Sequence, residues 1–397
     1  MVMIDQSNGK FAEHHVLFDV PECTEPLKIR RQQKPSRVAV THVSESDPRL
    51  FVAPAAPDAT PSSVVLPSVP DEIRLTSSLA VISCDKDEIA FVNLETIQLH
   101  QVDELDKLLK PAANGPEDVH LGPDHESAVV SLQKDSGKGK KQGNRLLVYE
   151  LVPQSKLIAD LQLPRDRPEL HIAGNLEQQG PGPEVVLISE PTNTLAVTLD
   201  LYGGVALMNW GAARSGQLED YHVLPTSLDG SWGESFPDRA ILFELNGRDF
   251  YLVSNAGSDG GSVLIDLKSR EIVWRRPTPP GLEAAVFVPA LRQAFTVVSG
   301  KVKWRAAGDV QKEFRPRAEL LIFDFQSSDA VRNQPVASVA LPGLPTQITL
   351  ASESPLRLLI AVGQEAQRAT DLVLVDPETR QIVDQRAAAG TIGRFEK

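Results

Sequence analysis

A short pattern recurs along this chain: two or three apolar residues, then Asp, Asn or Glu, then in most copies another apolar residue. The copies are Leu17-Phe18-Asp19-Val20, Phe91-Val92-Asn93-Leu94, Val148-Tyr149-Glu150-Leu151, Leu207-Met208-Asn209-Trp210, Leu264-Ile265-Asp266-Leu267, Ile322-Phe323-Asp324-Phe325 and Leu374-Val375-Asp376-Pro377. Measured at the acidic or amide position, they are spaced by 74, 57, 59, 57, 58 and 52 residues. A repeat of this length dictates the architecture, because each unit is too small to bury its apolar face alone and must stack on its neighbours.

Each marker leads through a polar turn into a second apolar strand. Glu150 runs through Gln154-Ser155 into Leu157 to Leu161, Asp266 through Lys268-Ser269 into Ile272 to Trp274, and Asp376 through Glu378-Thr379 into Ile382-Val383. Apolar strands joined by such turns read as antiparallel hairpins. A different hairpin precedes most markers, at Val119 to Ser131, Val185 to Thr198, Ala285 to Ser299 and Ile348 to Val362. Four strands per repeat is the unit of a propeller blade. The chain is therefore expected to be all-β: a seven-bladed β-propeller with four-stranded antiparallel blades and very little helix, the best helical segment being Val102 to Leu109.

Six blades fall at about 71 to 102, 117 to 163, 184 to 224, 239 to 278, 284 to 341 and 346 to 386. The seventh must come from residues 14 to 68, so that residues 1 to 397 make one propeller domain. A ring leaves no exposed sheet edge only if its ends are tied. The closing strand is expected either within residues 14 to 31 or in the tail Thr391 to Glu396. The stretch Val119-His120-Leu121-Gly122-Pro123-Asp124, leading to Ala128-Val129-Val130 and then Leu147 to Leu151, resembles one repeat of the YVTN-type and WD40-like seven-bladed propellers. The likeness is to the fold, since no Trp-Asp dipeptides close the blades and no Gly-Gly pairs stand at kelch spacing. Ile272-Val273-Trp274 is similar to quinoprotein-type propellers, in this blade alone.

Composition narrows the function. The chain has 397 residues with 41% hydrophobic and 23% charged, the balance of a globular protein. Its net charge of −13 argues against a nucleic-acid or anionic-membrane surface, which collects Lys and Arg. No apolar run approaches the length of a membrane span, and residues 1 to 20 lack the apolar stretch of a secretory signal. A cytoplasmic home is the default expectation, with a periplasmic or secreted one open if a leader precedes. Cys23 and Cys84 are too few for a disulfide framework or a Cys-rich zinc site.

The resemblance implies that ligands bind where the inter-blade connections and the loops between second and third strands open around the channel. Within those loops the candidate contacts are Lys138, Lys140 and Lys141 in the Gly-rich segment 134 to 144, Trp232 and Phe236 in the loop 229 to 236, and Asp259 in the turn 255 to 261. The lysine loop lacks the Gly-Lys-Ser/Thr ending of a phosphate-binding loop, and two aromatics in a Gly-rich loop fit either a partner anchor or a lid on the neighbouring blade. The cluster Glu117, Asp118, His120, Asp124, His125 and Glu126 holds metal-ligating types, but a tight turn separates its halves. No catalytic nucleophile, zinc-helix or dinucleotide fingerprint occurs.

These features favour a non-catalytic propeller, without cofactor, that presents its loop face to a protein partner or small ligand. The alternatives are a metal-dependent, lactonase-like hydrolase with Ca²⁺ or another divalent ion in the channel, and an electron-transfer or quinoprotein subunit.

Overall fold

The computed structural model describes residues 2–7, 10–16, 26–32, 35–56, 59–109, 113–135, 143–165, 180–232, 235–257, 260–300, 318–325, 337–363, 369–392 and 394–396. Among these, seven antiparallel blades form a ring, each crossed in sequence order from the axis outwards. Blade 1 consists of Pro26–Gln32, Arg37–His42, Arg49–Pro54 and Ser62–Val65. The inner strands of blades 2 to 7 are Pro70–Leu75, Ala113–Leu121, Pro183–Ser189, Pro237–Leu245, Leu282–Val288 and Leu344–Glu353. Their second strands are Leu79–Cys84, Ser127–Asp135, Thr194–Leu199, Arg248–Asn255, Gln293–Val298 and Leu356–Gly363. The six blades expected after residue 70 all stand where the repeat places them.

The recurrent marker is turn chemistry. It ends the third strand in blades 2 to 7, and in blades 2, 5 and 7 its side-chain oxygen takes the backbone N–H groups two and three residues on. Asn93 accepts from Glu95 at 2.8 Å and Thr96 at 3.0 Å, and Asp376 from Glu378 and Thr379, both at 2.9 Å. Asp266 does the same with Lys268 and Ser269. Asn209 instead caps the short helix Trp210–Arg214 through the amide of Ala212. The fourth residue after the marker is left-handed in three blades, at Ile97, Arg270 and Arg380.

Blade 1 departs from this rule. Its third strand, Arg49–Pro54, carries no acid or amide at its end, while Leu17 to Val20 lies outside the described residues. The 74-residue first interval follows: Leu17 to Val20 precede blade 1 in sequence and do not end its third strand. Residues 10–16 pair with Val2–Ser7 in a separate hairpin, so blade 1 begins at Pro26. The chain closes through its tail, Arg394–Glu396 running parallel to Lys28–Arg30. The helical segment expected at Val102 to Leu109 shrinks to Leu105–Leu108, because residues up to Glu104 extend the fourth strand of blade 2.

The core is a series of inter-blade sandwiches. Second and third strands contribute residues to both faces, which is why Leu79–Cys84, Thr194–Leu199 and Gln293–Val298 are buried along their whole length. One such layer packs Phe91 against Tyr149 at 5.3 Å between ring centres; another stacks Phe243 on Phe287 at 4.3 Å. Cys84 is a buried free thiol, while Cys23 lies outside the described residues.

Candidate functional site

Six of the seven inner strands carry proline at the same place, the last ladder pair before a register shift: Pro26, Pro70, Pro116, Pro183, Pro237 and Pro345, with Leu282 in blade 6. Proline suits the first residue of a strand whose free edge faces a channel, because no ladder partner awaits its missing N–H. Directly after it, every inner strand carries one residue more than its partner, as between Pro70 and Ile73 opposite Cys84 and Ile82. Such a bulge re-aims side chains that would otherwise alternate between faces. In blades 1 to 4 a hydroxyl on the second strand accepts the backbone N–H the ladder gives up. Lys28 donates to Thr41 at 3.0 Å, Glu72 to Ser83 at 3.0 Å, Asp118 to Ser131 at 3.1 Å and Val185 to Thr198 at 2.9 Å.

The residues in these bulges are mostly charged, and they converge on the axis. They line a cavity of about 500 Å³. Because the second strand runs back along the first, the start of each inner strand shares an end with the inter-blade connections and the second-to-third loops. The cavity therefore lies at the loop-face end of the channel. Its wall is mixed: blades 2 and 3 contribute Asp71, Glu72, Glu117 and Asp118, whereas blades 5 and 6 contribute Arg239 and Glu283 together with Ala240, Ile241, Leu242, Ala284 and Ala285.

Most of the charges brace the ring. Glu72 receives Lys28 Nζ at 2.6 Å, Arg74 at 2.5 Å and the Arg30 guanidinium. Burial alone would raise its pKa, but Arg30, Arg74 and Lys28 hold it well below the ordinary range. Arg30 also donates to the Ile73 carbonyl at 3.0 Å, so blade 1 grips blade 2. Arg74 reaches Asp118 at 3.5 Å, whose other oxygen accepts the Val186 amide of blade 4 at 2.9 Å. Ser131 hands on a further bond to the Glu184 carbonyl at 2.6 Å.

Two acids in this wall have raised pKa values. Burial, then the charges of Asp238 and Asp200, push Glu184 well above the usual range against the pull of Arg239. Arg239 is correspondingly raised: Asp238, Glu184, Glu283 and Asp118 outweigh its burial. Asp71 is raised to about 7 by burial and the charge of Glu117, with Glu72 and Asp85 adding and Lys28 opposing. Asp71 accepts no hydrogen bond from any described residue.

Of the sequence-predicted contacts, Trp232 and Phe236 are among the described residues, and neither lines the cavity. Trp232 packs against the core shared by blades 3 and 4, its ring close enough that a Cβ on Gly204 would meet it at 2.9 Å. Phe236, partly buried with a left-handed φ of 48°, turns the chain into blade 5, and the Ala256 amide donates to its carbonyl at 2.7 Å. Lys138, Lys140, Lys141 and Asp259 fall outside the described residues. Of the metal-ligating cluster, Glu117, Asp118 and His120 line the channel, while Asp124 and His125 sit in the turn beyond it. Among the described residues, no three His, Cys, Asp or Glu side chains are grouped so as to hold a metal ion. Beyond Glu117, Asp118 and His120, sequence reasoning missed the channel wall. The signal was present as a Pro-x-x-apolar tetrad in six of the seven inner strands.

No protein-family model and no curated protein matches this chain. Among solved structures it is similar to Saccharomyces cerevisiae Sqt1, with a TM-score of 0.65 at 9% identity over 93% of this chain and 87% of that one. Apo AztD from Citrobacter koseri is similar with a TM-score of 0.59 at 13% identity, over 99% and 93% of the two chains. The periplasmic gluconolactonase PpgL of Pseudomonas aeruginosa gives 0.54 at 16% identity, over 85% and 89%. At these identities the likeness is one of fold: all support a propeller. No helix among the described residues is long and apolar enough to cross a membrane.

Proposed function

We propose that this chain is a non-catalytic binding propeller that receives a ligand or partner at the loop-face mouth of its channel. The observation that carries this reading is the wall of the axial cavity. Glu72 and Asp118 in it are tied to cations and a backbone amide of adjacent blades, and apolar side chains of blades 4 to 7 complete it. Groups so committed make a preorganised surface for recognition, whereas a general acid, base or metal ligand needs lone pairs open to a reacting atom. Inner strands locked to one another also hold that surface rigid, which lowers the ordering cost of binding.

The test uses the purified chain. A panel of small cationic, anionic and neutral amphipathic molecules is screened by thermal shift, and hits are mapped by hydrogen exchange. Binding that protects the strand starts after Pro70, Pro116 and Pro183 is the expected result. Metal-dependent lactone turnover, present with Ca²⁺ or a transition metal and lost in Asp71→Asn, would overturn the reading in favour of a hydrolase.

A further inference from the structure

Six carboxylates and three cations line the cavity, so its wall is acidic even with every cation matched. The three cations are engaged: Lys28 and Arg74 with Glu72, and Arg239 in the field of Asp238, Glu184 and Glu283. Asp71 is different in kind. It faces the cavity, sits beside Glu117, and receives neither a hydrogen bond nor a salt bridge from a described residue. A half-buried carboxylate that faces the cavity without a protein donor is held at a cost unless something supplies one. The same wall carries the apolar side chains Leu187 of blade 4, Ile241 and Leu242 of blade 5 and Ile348 of blade 7, beside Arg239 and Glu283. Behind it lies a second unsatisfied group: Tyr251 is fully buried, pairs with Leu242 across the blade 5 ladder, and has a hydroxyl without a hydrogen-bond partner.

Resting on the binding reading above, we propose that the channel mouth binds a small organic cation, an ammonium head between Asp71 and Glu117 with an apolar body laid on the wall of blades 4, 5 and 7. An ammonium offers the donors Asp71 lacks and neutralises the repulsion between the two acids. A compact inorganic ion satisfies the acids alone and leaves the apolar wall wet. An anion meets like charge. The cavity volume suits a molecule of this sort, being within the range of ordinary ligand pockets.

Hexylamine, hexanol and hexanoate are the probes, titrated into the full chain by calorimetry. Hexylamine is expected to bind saturably, hexanol more weakly and hexanoate not at all. Because Asp71 titrates at about 7 and only its ionised form attracts the cation, hexylamine affinity should rise about tenfold from pH 6 to pH 8. Proton release near neutrality should make the binding heat depend on the buffer. Asp71→Asn should weaken hexylamine by at least about tenfold while leaving hexanol unchanged. The comparison of probes on the unaltered chain holds even if that variant folds poorly. Equal affinity for hexylamine and hexanol, or undiminished hexylamine binding in Asp71→Asn, overturns the inference. If hexylamine fails while a neutral or anionic molecule protects the same strand starts, this inference falls and the binding reading stands. Lactone turnover with metal and no ligand binding overturns both.

Discussion

Glu72 and Asp71 are neighbours with opposite fates, and the difference is the number of cations each meets. Glu72 is buried under Lys28, Arg30 and Arg74. Glu72→Gln would leave three cations around a neutral amide, and we expect a loss of about 3–5 kcal/mol in urea unfolding. A loss below about 1 kcal/mol would mean that the cluster relaxes into water. Asp71 has burial and Glu117 against it, opposed by Lys28. Its folded pKa of about 7 lies above the unfolded value, so between about pH 4 and pH 7 the native state holds a proton that the unfolded chain releases. Stability should therefore fall as pH rises through that window and then level off. Water in the channel discounts the effect to about 1–2 kcal/mol. Glu72 acts with the other sign: its contribution is present above its unfolded pKa and lost as pH falls below it. Together they place maximal stability on the acid side of neutrality. Melting temperatures from pH 5 to pH 8 check this, and in Asp71→Asn the decline should be shallower.

At the scale of elements, the informative unit is the bulged head of the inner strand. Ser131 accepts the Asp118 amide and donates to the Glu184 carbonyl of the next blade. Ser131→Ala should cost about 1–3 kcal/mol, since it strands two backbone groups at once, and Ser131→Thr should keep most of the stability. Denaturant midpoints of the two variants decide this, equal midpoints counting against the bridge. The element scale also explains what the sequence disclosed. Asn93, Asp266 and Asp376 were visible because an Asx turn needs one residue type at one place, whatever lies around it. Their strands follow from apolar runs between turns. The channel wall was harder to see because its residues, from Lys28 to Gln347, share no one residue type or sign of charge; only the proline before them and the apolar residue after them repeat in most blades. Which faces they show depends on a bulge, and which residues meet depends on closing the ring. Trp232 shows the converse, since an aromatic in a Gly-rich loop reads equally as anchor or lid until Gly204 is found beneath it.

At the scale of the whole molecule, closure is the one place where the blade pattern is not self-completing. Blades 1 to 6 each meet a neighbour that follows in sequence, but blade 7 meets blade 1 across the two ends of the chain. The strand Arg394–Glu396 lies in that seam, paired in parallel with Lys28–Arg30, where Lys28 and Arg30 also carry the bond to Glu72. Removing residues 391 to 397 would free one edge of Pro26–Gln32, and an unpaired edge both frays and recruits other chains. The truncated protein should melt about 2–5 °C lower and associate at high concentration in gel filtration. Faster amide exchange should be confined to blade 1 and its contact with blade 7, leaving blades 3 to 5 as before, since their neighbours are intact. A peptide of residues 388 to 397 added in trans should restore part of the melting temperature. If truncation changes neither melting nor exchange at Lys28 to Arg30, the ring is held by blade packing alone and the tail strand is incidental to it.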